Sequence, residues 1–230
     1  MHVEDLPAKT QDYLKVIWDL HERTGDKATL GDIAERMGEK KPTASEAVKK
    51  LAARGFVVHE PYQGIMLTEH GKDIALVMVR RHRLIESFLV SKLGYTWDQV
   101  HEEAEKLEHA VSDDFIARID AMLGYPKRDP HGDPIPSESG DIEGVVRTDL
   151  TDIRIGESVV VDRINDSDPE LLRYLAAAGV GPGTELRAES APYAGMRVFA
   201  IVADSADAAP QTIHVADSAL WAIKATPQKS

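Results

Sequence analysis

The chain contains no cysteine. That absence excludes disulfides, thiol redox chemistry and every metal site built on thiolates, so any metal here must be held by nitrogen and oxygen. Long hydrophobic runs are missing too. No window approaches the roughly 18 uninterrupted apolar residues of a spanning helix, and the opening MHVEDLPAKTQDY lacks a positive-then-apolar signal pattern. The expectation is a cytoplasmic protein without a membrane partner. Positive charge is in short supply: 27 Lys and Arg stand against 39 Asp and Glu, a net charge of -12, which argues against a uniformly basic nucleic-acid binder.

What is present is a 230-residue chain with 43% hydrophobic content, enough for a substantial core and one to three domains. Its charge is uneven. Residues 27–72 carry eight bases and six acids, a balance of +2, whereas residues 101–145 carry four bases and twelve acids, a balance of -8. A mildly basic segment inside an acidic chain suits a DNA-facing surface, although an ordinary solvated surface has the same count.

The first half has helical periodicity. Tyr13, Leu14, Ile17, Trp18 and Leu20 recur within a helix over about 9–24, ended by Gly25. A second helix starts after Thr29 as cap, with Leu30, Ile33, Ala34 and Met37 on one face and Gly38 past its end. Pro42 suits the first turn of a third helix, lined by Ala44, Ala47, Val48 and Leu51 until Gly55. Two β-type runs follow, Phe56 to His59 and Gly64 to Leu67, separated by Glu60, Pro61, Tyr62 and Gln63. Helix, turn, helix and two-stranded wing make a winged helix.

Thr68 caps a long helix to about Lys92, and two more helices are expected near 97–110 and 112–123. The last of these carries more apolar surface (Val111, Phe115, Ile116, Ile119, Met122 and Leu123) than a lone short helix needs, which suits a symmetric dimer interface. Residues 126–140, with Pro126, Pro130, Pro134 and Pro136, read as an extended linker. Beyond it the pattern turns to strands at Val145 to Arg147, Ser158 to Ile164, Thr184 to Glu189, Arg197 to Val202 and Thr212 to Val215, with one helix near Glu170 to Ala178. The fold class is α+β: an N-terminal winged helix-turn-helix (1–73), a helical metal-binding and dimerisation domain with linker (74–140), and a small β-barrel-like domain (141–230).

The chemistry concentrates after residue 100. At about 100° per residue, His101, Glu105, Glu108 and His109 fall at about 0°, 40°, -20° and 80°, on one helical face. Val100, Ala104, Leu107 and Val111 cluster beside them, so the donors sit at the margin of a core. On the preceding helix His82 and Glu86 are four apart and co-facial. Ion pairs on a helix surface would account for any single pair. Carboxylates crowded together, however, repel unless a proton or cation intervenes. Imidazole and carboxylate without sulfur suit Mn(II) or Fe(II), with Co(II) and Zn(II) able to compete. A hydrolytic zinc enzyme is the rival class, but its His-Glu-x-x-His helix is absent.

With these residues in place, the chain resembles the diphtheria toxin repressor family of iron- and manganese-dependent regulators over nearly its whole length. The resemblance is carried by Asp12-Tyr13-Leu14, by Lys41-Pro42-Thr43-Ala44-Ser45, by Arg81-His82-Arg83-Leu84, by the run from Val100 to His109, and by His131-Gly132-Asp133-Pro134-Ile135-Pro136. It implies a dimerisation domain and a C-terminal SH3-like (FeoA-like) domain. It also implies a principal metal site of Asp12, Glu105, Glu108 and His109, and a second of His82, Glu86 and His101, which the C-terminal domain would complete through Asp168 or Glu170. The iron-sensing branch has Met where Asp12 stands and Cys where Glu105 stands, so the resemblance points to manganese. Shorter, two-domain manganese regulators carry a Glu where this chain has Lys15, so two separated sites are expected rather than a paired-metal centre.

The function so implied is a manganese-dependent repressor, not an enzyme, that binds palindromic double-stranded operator DNA as a metal-activated homodimer and controls metal-homeostasis genes. DNA contacts are expected from Lys41, Pro42, Thr43, Ser45, Glu46 and Lys49, mostly to phosphates, with Glu46 able to accept from cytosine. An iron(II)-dependent repressor of the same family and a winged-helix regulator of an organic ligand are the alternatives.

Overall fold

The computed structural model describes residues 3–60, 64–144, 148, 150–202 and 211–228. It divides into two compact units: Met1–Ile85 with Glu105–Lys127 and Ile135–Val145, and Glu86–Ala104 with Arg128–Pro134 and Val146–Ser230.

In the first unit α1 (Ala8–Thr24) buries Tyr13, Leu14 and Ile17 and closes on Gly25 in the left-handed conformation. Next, α2 (Leu30–Arg36) opens with a full capping box between Thr29 and Asp32. Pro42 sits in the first turn of α3 (Lys41–Ala53), whose inner face is Ala44, Val48 and Leu51. Strands β1 (Val57–Glu60) and β2 (Gly64–Leu67) pair antiparallel, Val57 opposite Leu67. The expected wing is therefore present, with Pro61, Tyr62 and Gln63 outside the described residues. Thr68 Oγ1 accepts from the Gly71 amide at 3.1 Å as α4 (Glu69–Leu93) begins. A Cβ on Gly71 would stand 2.0 Å from the Phe56 carbonyl, so only glycine lets α4 leave the wing so closely. The apolar faces of α1, α2 and α3 meet those of β1, β2 and the start of α4 in one core.

Helix α5 (Val100–Leu107) is shorter than its sequence pattern, and Glu108, His109 and Ala110 form a turn beyond it. Helix α6 (Asp113–Leu123) is capped by Ser112 and ends at Gly124. It buries Ile116 and Ile119 but leaves Phe115 43% and Met122 61% exposed.

The second unit holds an antiparallel sheet of β3 (Ser158–Ile164), β4 (Glu185–Glu189), β5 (Met196–Ile201), β6 (Gln211–Ala216) and β7 (Ile223–Pro227) in the order β6-β5-β4-β3-β7. Among the described residues this sheet is open, not closed into the barrel that the strand spacing suggests. Helix α7 (Pro169–Ala177) packs Leu171, Leu172 and Leu175 against a core that includes Val159, Val161, Leu186 and Phe199. Strand β7 has no counterpart in the sequence reading, and the strand expected at 145–147 lies outside the described residues.

The stretch expected as an extended linker is extended, and within it His131 to Pro136 are all buried. Asp129 Oδ1 accepts from the amides of His131 and Asp133, at 2.8 and 2.9 Å, closing an Asx turn. Asp133 is held by Arg163 at 2.7 Å, and the Ile164 amide donates to the His131 carbonyl at 2.9 Å. A Cβ on Gly132, at φ 91°, would stand 2.2 Å from the Asp162 carbonyl. The loop is thus locked to β3, which Pro-rich composition alone does not reveal.

Candidate metal centres

Two groups of titratable side chains are built by these elements. In the first unit α1 supplies Gln11, Asp12 and Lys15, α4 supplies His82, and the turn after α5 supplies Glu108 and His109. One donor atom each from Asp12, Glu108 and His109 lie within 4.8 Å of one another. Donors facing each other across a cation with bonds of about 2.2 Å are about 4.4 Å apart, so closing on an ion needs movements of tenths of an ångström. His109 Nε2 is 2.7 Å from Asp12 Oδ1 and 3.7 Å from Glu108 Oε1.

The ring of His109 is set by a residue that the sequence reading did not single out. Gln11 spends its amide nitrogen on the carbonyls of Val3 and Leu6, both at 2.9 Å. Its Oε1 therefore faces His109 Nδ1, at 2.8 Å, and must accept from it. With Nδ1 committed to Gln11, Nε2 is the nitrogen that faces Asp12: it donates to that carboxylate when protonated and carries the ligating lone pair when the ring is neutral.

Glu108 is 0% exposed. Its Oε1 accepts from Lys15 Nζ at 2.5 Å, and its Oε2 meets His82 Nδ1. Burial alone would raise the Glu108 pKa, but His82 and Lys15 outweigh it and hold the carboxyl below its ordinary value. Burial would likewise strip Lys15 of its proton, yet Glu108, Asp19 and Glu105 keep its pKa raised. A hydrogen bond to Asp12 is the largest influence on His109 and raises its pKa. Glu105, the fourth expected ligand, is 54% exposed at its side chain and 3.8 Å from Lys15 Nζ, so it borders the group without joining it. Three carboxylates (Asp12, Glu105, Glu108) and one ammonium leave a formal charge of -2, which one divalent cation neutralises.

In the second unit Glu86 and His101 come together as expected. Glu86 Oε1 is 3.4 Å from His101 Nδ1, and Asp166 Oδ2 is 3.1 Å from the same nitrogen. The carboxylate offered by the C-terminal segment is thus Asp166, not Asp168 or Glu170. Asp168 is committed to capping α7, accepting from the Glu170 and Leu171 amides at 3.0 Å each. Asp166 precedes that cap by two residues, too small an offset for sequence alone to resolve. His82, expected with Glu86, turns its Nδ1 to Glu108. Asp129 and His131 also stand beside Glu86. His131 is buried, which alone would lower its pKa, but Glu86, Asp129 and Asp166 push it up to about 10.

The side chains expected to meet DNA crowd the first turns of α3. Lys41, Pro42, Thr43, Glu46 and Lys49 are exposed and Ser45 is half-buried. Glu46 and Lys49 pair with each other at 2.8 Å.

Comparison with known proteins finds three family models along the chain. Residues 5–65 match the N-terminal DNA-binding domain of iron-dependent repressors, residues 68–137 their metal-binding and dimerisation domain, and residues 148–211 the FeoA domain. Over 210 residues the chain is 33% identical to the iron-dependent repressor IdeR of Mycobacterium tuberculosis (strain ATCC 25618 / H37Rv), spanning 85% of this chain and 90% of IdeR. The chain belongs to the iron-dependent repressor family. As a member it is a metal-dependent transcriptional repressor and not an enzyme. Among solved structures, a manganese-dependent transcriptional repressor in complex with manganese is 48% identical with a TM-score of 0.87, covering 95% of this chain and all of the other. The manganese regulator SloR is 36% identical with a TM-score of 0.76, covering 95% of this chain and 98% of its own. No helix of this repressor is long and apolar enough to cross a membrane among the described residues.

Proposed function

We propose that this repressor answers to Mn(II), bound in the first unit by Asp12, Glu108 and His109 with Glu105 closing in, and in the second by Glu86, His101 and Asp166. His82, four residues before Glu86 on α4, is kept in the second set. The observation that carries the reading is the sulfur-free donor set around Glu108, whose carboxylates and His109 ring, turned by Gln11 to offer Nε2, suit a hard divalent ion. The manganese-dependent repressors to which the chain is similar support the same choice.

When bound, the ion supplies positive charge that relieves the repulsion between Asp12 and the Glu108 turn. Asp12 lies on α1, which packs in the core beside α2 and the wing, while Glu108 and His109 follow α5. Drawing them together biases the placement of α3, and in a dimer two such helices must meet half-sites about one DNA turn apart. We place the dimer contact on α6 through Phe115 and Met122, the target in palindromic operator DNA of metal-homeostasis genes, the protein in the cytoplasm, and the domain divisions near residues 73 and 140. The test is a DNA-shift assay on the promoter of a manganese transporter, with and without Mn(II). Retardation only with Mn(II) is expected, and equal binding without it overturns metal sensing. Asp12→Met with Glu105→Cys should move the response toward Fe(II); an unchanged metal profile would place selectivity elsewhere.

A further inference from the structure

His131 is 0% exposed and lies in the locked loop, stacked on Trp97 with ring centroids 6.0 Å apart and planes 8° from parallel. Its Nε2 is 2.7 Å from the Trp97 carbonyl, which can only accept, so Nε2 carries the proton. In the neutral ring the lone pair is then on Nδ1. That nitrogen is buried, makes no hydrogen bond among the described residues, and faces Glu86 Oε2 at 3.7 Å. The gap is too long for a hydrogen bond. It falls between the roughly 3.1 Å and 4.4 Å that separate donors at right angles and opposite one another around a cation with bonds of about 2.2 Å. A carboxylate oxygen of Asp129 completes a set of three donors within 4.8 Å. A backbone carbonyl holding one ring nitrogen so that the other faces outward is the usual support of a ligating histidine.

We infer that Glu86, Asp129 and His131 form a further divalent-cation site, sharing the Glu86 carboxylate with the site of His101 and Asp166. Glu86 presents Oε1 to His101 and Oε2 to His131, so its carboxylate bridges two ions in the manner of paired-metal centres, whose ions stand about 3.5–4 Å apart. The donors are again oxygen and imidazole nitrogen, so the ion is of the Mn(II) or Fe(II) class. The competing arrangement is an imidazolium at His131 beside a single ion, which uses the same residues but binds one metal fewer.

This inference rests on the proposed manganese response, and counting bound metal separates the two. The full-length protein is equilibrated with excess Mn(II), dialysed and analysed for metal, with circular dichroism and thermal melting as checks on folding. Three Mn(II) per chain are expected in the wild type and two in both His131→Gln and Asp129→Asn, with the wild type also showing the exchange-broadened EPR of a coupled Mn(II) pair. Two per chain in the wild type, or three retained in either folded variant, overturns the further site and leaves the manganese response standing. No bound Mn(II) overturns both.

Discussion

At the scale of single residues, the proposed ligand sets lean on side chains outside them. Gln11→Leu removes the acceptor that fixes the His109 tautomer, and loss of such supporting partners costs about 10–100-fold in metal affinity. Mn(II) titration should show that loss at the first site, while the shape of the fold, read by circular dichroism, stays the same. Lys15→Met leaves buried Glu108 with the imidazoles of His82 and His109 beside it and no ammonium. Breaking one side of a buried ion pair costs about 3–5 kcal/mol, so chemical denaturation of the metal-free protein should show a loss near 3 kcal/mol; an unchanged midpoint would mean Lys15 does not compensate Glu108. The same variant removes a cation that competes at the site, so its affinity for Mn(II) should rise. Asp12, Glu108, His109, Glu86 and His101 were legible from residue type and spacing together with the family resemblance. Gln11, Asp129, His131 and Asp166 were not, because their roles depend on which carbonyls and carboxylates the loops bring beside them.

At the scale of elements, the helices of the first half follow from punctuation: Thr29, Pro42, Ser112 and the glycines at 25 and 124 stand where caps and turns require them. The sequence pattern over-extended α5 because Glu108 and His109 continue a helical stripe, yet the backbone turns after Leu107 to bring them to Asp12 and Gln11. The linker's prolines marked it as extended, which it is, but did not reveal that residues 131–136 are buried. The exposed bases of α3 give a direct prediction. Lys41→Ala and Lys49→Ala should each weaken binding uniformly across DNA sequences and reduce the slope of log affinity against log salt by about 1. Helix α6 gives another. Phe115→Asp with Met122→Lys places charges on its exposed apolar face and should shift the protein from dimer to monomer in analytical ultracentrifugation at micromolar concentration; an unaltered dimer would put the interface elsewhere.

At the scale of the whole molecule, the acidic total charge of -12 and the basic segment at the winged helix are reconciled by division of labour. Acids gather at the proposed metal sites, and bases on the helix proposed to meet phosphates. Under the proposed function, Mn(II) binding at Asp12, Glu108 and His109 is the event that turns DNA binding on. The most direct measurement is a Mn(II) titration of DNA retardation for the wild type and for Glu108→Gln, with Mn(II) binding followed in parallel. Metal control through this site predicts that the wild type binds operator DNA with the same midpoint at which the site fills, and that Glu108→Gln, though folded, stays unbound over that range. DNA binding by Glu108→Gln at the wild-type midpoint would contradict it.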